Sequence, residues 1–233
     1  MKKSLERKLN KLRKKIRKLD SAMVAFSGGV DSSLVMRICR EELGENAVAV
    51  TTLSSDYPKS ELILARRVAK IIGVKHITYD PSDDSDDEPH HNQTYSSLKS
   101  LAIRMKVKNV IDGSHKDDKS EKGQSYVAAK KAGIKSPLIE SDLTKAEIRM
   151  LSKELGLPNW DRKSSSARKA ARIRKAKKFL ESIGAKKAAV KSRGKKLYIL
   201  PHGSELAKLT KEMDKIKKKM KSIGFSQVLI ELS

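Results

Sequence analysis

The stretch MVAFSGGVDSSLVMRI, residues 23–38, decides the fold of this chain. Its first four residues, 23–26, are apolar and predict a buried strand, and the apolar positions within 34–38 predict the inner face of a helix. The loop between them, residues 27–33, holds two glycines and three serines. It contains no lysine, although Lys and Arg make up 52 of the 233 residues.

A strand, a glycine-containing loop and a helix in this order are typical of a phosphate site. Glycine lets the backbone approach closely, and the N–H groups that open the helix, from Asp31 to Ser33, point at an anion. The lysine of a Walker loop stabilises a transferred γ-phosphoryl group, whereas this loop carries Asp31.

A carboxylate beside phosphates requires a cation between them, so we expect Asp31 to bind Mg²⁺ that bridges a pyrophosphate group. The hydroxyls of Ser27, Ser32 and Ser33 are the expected neutral contacts. The loop therefore predicts release of pyrophosphate from ATP, with AMP left on an acceptor, rather than γ-phosphoryl transfer.

Cysteine content and hydropathy narrow the class of protein. Cys39 is the only cysteine of the chain, which excludes an internal disulfide and favours the cytoplasm as its location. No apolar run approaches the roughly 20 residues that span a bilayer, so we expect no membrane contact.

The net charge of +24 is unevenly distributed. Residues 1–20 carry +8, residues 21–161 carry −1 and residues 162–233 carry +17. The basic ends could attract nucleic acid or another polyanion. A lysine-rich solvated surface explains the same charge, and composition leaves both interpretations open.

Short apolar runs alternate with amphipathic segments along the centre of the chain. Strands are predicted at 22–27, 46–52, 75–79 and 108–112. Helices are predicted at 31–43, 58–72, 94–106, 123–132 and 144–155. This alternation predicts an α/β fold with a doubly wound parallel sheet. The acidic segment 80–93 contains no apolar residue and is expected to be an irregular loop.

Three regions are predicted from these patterns. Residues 1–20 form a basic helix whose apolar stripe docks on the next domain, residues 21–161 form the ATP-binding domain, and residues 162–233 form a small basic α+β domain. The expected order of this last domain is a helix at 167–183, strands at 187–192 and 195–200, a helix at 204–222 and a strand at 226–232.

The loop sequence SGGVDSS resembles the SGGxDS motif of the PP-loop (N-type) ATP pyrophosphatase superfamily. The stretches VIDGSHKDD (110–118), AAKKAGIKSPL (128–138) and LTKAEIRMLSKELGLPNWD (143–161) resemble the LarE family of ATP-dependent sacrificial sulfur transferases. This resemblance implies that Mg-ATP adenylates a carboxylate of a pyridinium mononucleotide, which then receives sulfur, and that the protein is a homo-oligomer.

Site residues follow from the resemblance position by position. The ATP loop corresponds to Ser27, Gly28, Gly29, Asp31, Ser32 and Ser33, with Asp31, Ser27 and Ser32 as the catalytic group. Adenine and ribose are expected beside Thr51, Thr52 and Leu53. In a PP-loop sheet the fourth strand lies beside the first, so Asp112, Gly113 and Ser114 should open onto the same crevice. Asp117, Asp118, Trp160 and Lys191 are the implied substrate contacts, although Asp117 and Asp118 also suit an ordinary helix start.

The chain departs from the family at its sulfur chemistry. Ala167 stands where the family has its sacrificial cysteine, and Cys39 sits in the helix after the loop, where a small core residue is expected. The phosphate-binding arginine pair is kept in part, as Lys191 and Arg193. Three explanations remain open: sulfur from outside the chain, a different nucleophile such as ammonia, or binding of ATP without turnover.

Two alternative functions would use the same ATP-binding loop. A tRNA-modifying PP-loop enzyme would use the basic C-terminal region for RNA, although that region has few aromatic residues for base stacking. A non-catalytic ATP-binding protein would bind the nucleotide and release no pyrophosphate.

Overall fold

The computed structural model describes residues 2–53, 57–81, 93–120, 124–163 and 165–231. The chain divides into two compact units, Met1–Arg162 and Lys163–Ser233. Most of the acidic segment predicted as a loop, 82–92, lies outside the described residues. None of the helices described is long and apolar enough to cross a membrane.

The first unit is built on a four-stranded sheet with the order β3-β2-β1-β4, and every neighbouring pair is parallel. The strands are β1 (Ala22–Ala25), β2 (Ala47–Thr52), β3 (Lys75–Tyr79) and β4 (Asn109–Ile111). Ala22 pairs with Ala47 on one side and with Asn109 on the other. The predicted α/β class and the position of the fourth strand beside the first are confirmed.

Helices connect and cover these strands. They are α1 (Lys3–Arg17), α2 (Val30–Leu43), α3 (Lys59–Ile72), α4 (Gln93–Arg104), α5 (Lys116–Ser120), α6 (Gln124–Lys131), α7 (Pro137–Glu140) and α8 (Lys145–Glu154). The sequence did not predict α5 and α7, because helices of five and four residues are too short to show an apolar period.

The sheet is covered on both faces because successive side chains of a strand point to opposite sides. Ala22 and Val24 of β1 belong to one core with the apolar residues of α1, α2, α3 and α8. Met23 belongs to a second core, with Leu98 and Ala102 of α4. The central strands are therefore apolar at nearly every position, as expected for a doubly wound sheet.

The N-terminal helix α1 lies in the first unit. Its stripe of Leu5, Leu9, Leu12 and Ile16 is buried, and its charges meet carboxylates of neighbouring helices. Lys8 contacts Glu147 at 2.8 Å, Lys15 contacts Glu140 at 2.7 Å and Arg13 contacts Glu42 at 2.8 Å.

The second unit is a small α+β arrangement. It contains α9 (Ser165–Ser182), β5 (Ala189–Arg193), β6 (Lys196–Leu200), α10 (Glu205–Lys211), α11 (Met213–Ile223) and β7 (Gln227–Ile230). The sheet order is β5-β6-β7, with β5 antiparallel to β6 and β6 parallel to β7. The single helix expected at 204–222 is wrong, because Glu212 leaves helical geometry at φ −94° and ψ 10° and separates α10 from α11.

Candidate functional site

The glycine loop lies between β1 and α2 and is backed by α3. Gly28 has a φ of +66°, a conformation in which a side chain would be strained. A Cβ at Gly28 would also lie 2.7 Å from Cα of Ala65 on α3. The loop can therefore approach α3 only because this position is glycine.

The three loop hydroxyls face in two directions. Ser27 Oγ lies 3.2 Å from Ser32 Oγ and accepts a hydrogen bond from the N–H of Gly29 at 3.2 Å. Ser33 is fully buried, and its Oγ accepts a hydrogen bond from Nδ2 of Asn159 at 2.9 Å. The expectation that all three hydroxyls contact phosphate is therefore corrected for Ser33, whose hydroxyl lies behind the loop.

The backbone of α2 supplies donors in its first turn. The helix begins at Val30, and the N–H of Ser33 already donates to the Gly29 carbonyl at 3.0 Å. The preceding N–H groups, up to that of Ser32, have no acceptor within the helix. The N–H groups of Val30, Asp31 and Ser32 are therefore available to an anion. The sequence had indicated the N–H groups from Asp31 to Ser33, which is one residue later.

The lysine that the loop lacks comes from another helix. Lys145, the first residue of α8, forms an ion pair with Asp31. The start of α8 is fixed by Thr144, whose Oγ1 accepts from the N–H of Glu147 in a capping box. A further brace comes from Asp117, which accepts the N–H of Lys145 at 2.8 Å.

Sequence reasoning missed Lys145 as a site residue. A signal was present, because a lysine directly after a capping threonine places its charge at the helix end that repels cations. A carboxylate partner offsets this repulsion, and Asp31 is that partner. Local sequence patterns do not connect two residues that are 114 positions apart.

A histidine and two further carboxylates complete this corner of the site. His115 Nε2 lies 4.0 Å from Asp31 Oδ1, and His115 Nδ1 lies 3.6 Å from Asp118 Oδ2. Asp118 also accepts the N–H of His115 at 2.9 Å, which caps α5. Asp117 and Asp118 thus both make the helix-start contacts that the sequence left open, and Asp118 also lines the cleft described below.

The segment after β4 lies against the glycine loop. Asp112 is buried, and it accepts Ser114 Oγ at 2.5 Å and the N–H of Ser114 at 3.2 Å. Burial raises the pKa of the Asp112 carboxyl. A Cβ at Gly113 would lie 2.8 Å from the backbone nitrogen of Ser32, so this glycine is required by close approach.

These parts surround an open cleft of about 360 Å³ at the carboxyl ends of β1 and β4. It is lined by Ala25, Ser27, Asp31, Ser32, Tyr95, Asp112, Gly113, Ser114, Asp118 and Tyr126. The structure thus brings together six residues that the sequence assigned to ATP: Ser27, Asp31, Ser32, Asp112, Gly113 and Ser114.

A second, more apolar cleft of about 180 Å³ adjoins the first. It is lined by Ala25, Phe26, Ser27, Val50, Thr51, Thr52, Tyr57, Tyr95 and Leu98, and it shares Ala25, Ser27 and Tyr95 with the larger cleft. The two clefts form a polar and an apolar compartment side by side, and the predicted adenosine residues Thr51 and Thr52 line the apolar one.

Hydrogen bonds fix the end of β2 beside this apolar cleft. Thr51 Oγ1 donates to the Phe26 carbonyl at 2.6 Å and lies 2.7 Å from Nε2 of His76. Burial, followed by the charge of Arg66, lowers the pKa of His76. The N–H of Leu53 donates to the Tyr79 carbonyl at 2.7 Å, so this N–H is not available to a nucleotide.

One predicted substrate residue, Trp160, is not part of the lining of either cleft, and another, Lys191, belongs to the second unit. Trp160 is half-buried in the segment after α8, with Nζ of Lys153 4.8 Å from the centre of its ring. Lys191 is exposed on β5 of the second unit. Cys39 is fully buried in the core, where burial raises the pKa of its thiol. Such a thiol is poorly suited to donate sulfur.

The residues around Asp31 suit Mg²⁺ only together with phosphate oxygens. Asp31 Oδ1 is buried and has no hydrogen-bond partner among the described residues. No group of three His, Cys, Asp or Glu side chains in the described part of the chain could hold a metal alone. Mg²⁺ typically uses one or two carboxylates plus substrate phosphates, so Asp31 fits as a single protein ligand.

The fold and the loop define an α/β protein with a phosphate-type site at the carboxyl edge of a parallel sheet. Comparison with known proteins agrees with this class. Residues 12–100 match the family model described as asparagine synthase. NMN synthetase from Francisella tularensis has a similar fold, with a TM-score of 0.55 and 17% identity, over 69% of this chain and 75% of that one.

Sequence relatives narrow the class. The chain is 32% identical to the uncharacterized protein slr1717 of Synechocystis, over 81% of this chain and 79% of the relative. It is 28% identical to the pyridinium-3,5-bisthiocarboxylic acid mononucleotide synthase of Lactiplantibacillus plantarum, over 93% and 87% of the two chains. It is 29% identical to the NH(3)-dependent NAD(+) synthetase of Wolinella succinogenes, over 59% and 57%.

The chain therefore belongs to the PP-loop ATP pyrophosphatase superfamily, and its sequence is similar to that of a LarE-type synthase. The recognition based on the SGGVDSS loop is confirmed, and the protein is an enzyme of the ATP pyrophosphatase class.

Proposed function

We propose that this protein adenylates a carboxylate with ATP, in the manner implied by its LarE-like sequence, and that the acceptor is a pyridinium mononucleotide. A carboxylate oxygen attacks the α-phosphorus of ATP, the bond from that phosphorus to the bridging oxygen breaks, and pyrophosphate leaves with this electron pair. The products are an acyl-adenylate and pyrophosphate. An acceptor that is already anionic needs no general base.

One observation carries the proposal. Ser27 and Ser32 of the glycine loop line one polar cleft together with Asp31, which is paired with Lys145, and an apolar cleft adjoins it through Ala25, Ser27 and Tyr95. A polar compartment suits a triphosphate and an apolar one suits a purine, so the pair matches the shape of ATP.

Each residue has a role that follows from its position. The N–H groups at the start of α2 would bind phosphate oxygens, with the Ser27 and Ser32 hydroxyls as neutral partners. Lys145 would neutralise charge that develops on the leaving pyrophosphate. Asp31 would hold both Lys145 and Mg²⁺. The metal, when bound, supplies further neutralisation of the phosphate oxygens.

The sulfur step is proposed to use sulfur from outside the chain. Ala167 has no sulfur atom, and the Cys39 thiol is buried in the core of the first unit. Hydrosulfide would attack the acyl carbon of the adenylate, and AMP would leave, which gives a thiocarboxylate.

Release of AMP and pyrophosphate from Mg-ATP tests this function. The assay is run without acceptor, with nicotinate mononucleotide and with bulk tRNA, each with and without sulfide. We expect nicotinate mononucleotide to stimulate pyrophosphate release, and Asp31→Asn to reduce it by about 100-fold or more. ATP binding without release of AMP or pyrophosphate under any condition would leave only a nucleotide-binding protein.

A second candidate function is modification of tRNA. The second unit, Lys163–Ser233, contains 21 Lys and Arg against five Asp and Glu, so most of its cations have no carboxylate to neutralise them. This excess favours a polyanionic partner. In this case tRNA, and not the mononucleotide, would stimulate pyrophosphate release, and tRNA binding would weaken steeply with salt.

A further inference from the structure

A buried asparagine lies directly behind the glycine loop. Asn159, between α8 and the end of the first unit, is 3% exposed. Its Nδ2 donates one hydrogen bond to the carbonyl of Gly28 at 2.7 Å and another to Ser33 Oγ at 2.9 Å. Both hydrogens of the side-chain amide are therefore used to hold a loop that lies more than 120 residues earlier in the chain.

The bond to Gly28 determines which way the next N–H points. In a trans peptide the carbonyl oxygen and the following N–H lie on opposite sides. Asn159 draws the Gly28 carbonyl inward, so the N–H of Gly29 points outward. That N–H meets Ser27 Oγ at 3.2 Å, and Ser27 lines the polar cleft.

Nothing within the Gly28–Gly29 pair itself enforces this orientation. Gly29 has a φ of −74°, and turning the peptide over by roughly 180° would bring it to about +106°, which glycine tolerates. The turned peptide would present the Gly28 carbonyl oxygen to the cleft. An oxygen in that position repels phosphate.

The segment that carries Asn159 is anchored on both sides. Leu157 is buried in the main core, and its N–H donates to the Ser152 carbonyl at 2.8 Å. Arg162 Nη2 contacts Glu61 Oε1 of α3 at 3.0 Å. The backbone that carries the Asn159 side chain is thus held in place by the core on one side and by α3 on the other.

We propose that Asn159 is a positioning residue that locks the Gly28–Gly29 peptide in the orientation that binds phosphate. The proposal rests on the proposed function, because it assigns the glycine loop to the phosphates of ATP. Asn159 does not touch the ligand. It acts through the Gly28 carbonyl, and its effect is confined to the phosphate part of the nucleotide.

The test measures the binding of pyrophosphate, ATP and adenosine by calorimetry to the full-length protein and to Asn159→Asp. This variant keeps the size of the side chain but turns an oxygen toward the Gly28 carbonyl. We expect pyrophosphate and ATP to bind at least about tenfold more weakly, because a buried donor is lost. Adenosine, which has no phosphate, should bind as it does to the unchanged protein.

The pH dependence of pyrophosphate binding by Asn159→Asp distinguishes a positioning role from a general loss of structure. Protonation of the introduced carboxyl restores a donor, so the ratio of variant to wild-type pyrophosphate affinity should rise as the pH falls. Asn109→Asp is the matched control. Asn109 Nδ2 donates to the carbonyls of Leu19 at 2.7 Å and Ser21 at 3.0 Å, at the opposite end of β1, and this variant should leave pyrophosphate affinity unchanged.

A measurement on the unchanged protein keeps the proposal testable if Asn159→Asp does not fold. The side-chain amide hydrogens of Asn159 should exchange slowly with solvent, and pyrophosphate should shift the amide resonance of Gly29. Rapid exchange of that side chain, or pyrophosphate binding by Asn159→Asp equal to wild type, would overturn the positioning role. A wild-type protein that binds neither pyrophosphate nor ATP would instead refute the proposed function.

Discussion

The two sides of the polar cleft are built on different principles. The glycine side consists of the contiguous residues 27–33, and it offers mainly backbone N–H groups and hydroxyls. The charged side consists of His115 before α5, Asp117 and Asp118 of α5, and Lys145 of α8. His115 and Lys145 reach Asp31, while Asp117 and Asp118 lie against His115 and Asp117 also accepts the N–H of Lys145. The glycine side depends on the absence of side-chain atoms, whereas the charged side depends on the pairing of distant charges. The two sides should therefore fail differently when they are mutated.

The largest effect is expected on the glycine side. Gly28→Ala should lower the free energy of unfolding by about 3 kcal/mol or more, because it combines positive φ with a backbone clash against Ala65. Chemical denaturation checks this value. Gly73→Ala is the matched control, since Gly73 has a φ of +76° and no atom within 4 Å of the added Cβ. It should cost only about 1 kcal/mol, and equal costs would contradict the steric argument.

Mutations on the charged side should impair ATP turnover more than they reduce the stability of the fold. Lys145→Met should raise the KM for ATP by about 10- to 100-fold, because it leaves Asp31 facing phosphate without its cation partner. Steady-state pyrophosphate release measures this change.

Lys116→Met serves as the control for the charged side. Lys116 also begins a helix, but its partner at 3.7 Å is the exposed Asp142, whereas the partner of Lys145 is Asp31, which lines the cleft. Its replacement should leave the KM unchanged, and a similar rise in both variants would show that Lys145 acts only through net charge.

A third prediction concerns Asp112, which lies between the two sides. Its pKa in the folded protein is raised above the ordinary value of 3.8, chiefly by burial. As the pH rises above 3.8 the unfolded chain ionises first, so wild type should lose stability relative to Asp112→Asn until the pH passes the raised value. Urea denaturation at several pH values measures this slope.

Asp142→Asn should give the opposite slope. Lys116, followed by Lys11, lowers the pKa of Asp142. Wild type should therefore lose stability relative to this variant as the pH falls below 3.8. If the stability difference between wild type and variant changed with pH in the same direction for both variants, burial would not be the dominant influence on the pKa of Asp112.

The smallest effect is expected where the apolar cleft meets the glycine side. Thr51→Val keeps the shape of the side chain but removes the hydrogen bonds to the Phe26 carbonyl and to His76. It should lower the free energy of unfolding by about 1–2 kcal/mol. Thr78→Val, at the position paired with Thr51 on β3, is the comparison variant, and an equal loss there would show that the hydrogen bonds contribute little.

The sequence predicted most of the fold because its signals are local. β3 was predicted at its observed bounds, and β1, β2 and β4 within two residues at each end. The helix expected at 204–222 failed because no glycine or proline marks the break at Glu212. The short helices α5 and α7 were missed for a related reason: they are fixed by contacts, among them the hydrogen bond that the N–H of His115 donates to Asp118, rather than by an apolar period.

The residues of the candidate site also differ in how far the sequence predicts them. The positive φ at Gly28 and the helix start at Val30 are local properties of the chain, so the SGGVDSS motif was sufficient to predict a phosphate loop. The close approach of Gly28 to Ala65 of α3 depends on the tertiary structure. The sequence also indicated the crevice beside β4, through the family order of strands. Lys145 and Asn159 could not be connected to the loop, because side chains 114 and 131 positions away meet it only after the sheet has assembled.

The sequence alone determined the fold class, the superfamily and the position of the phosphate loop, because each of these depends on short-range patterns of glycine, hydroxyl and apolar residues. Tertiary structure alone decided that the lysine absent from the loop is supplied by α8, that the Ser33 hydroxyl faces inward and that an asparagine holds the Gly28 carbonyl. Charge pairing and buried hydrogen bonds join residues by distance in space, and the order of residues along the chain does not encode that distance directly.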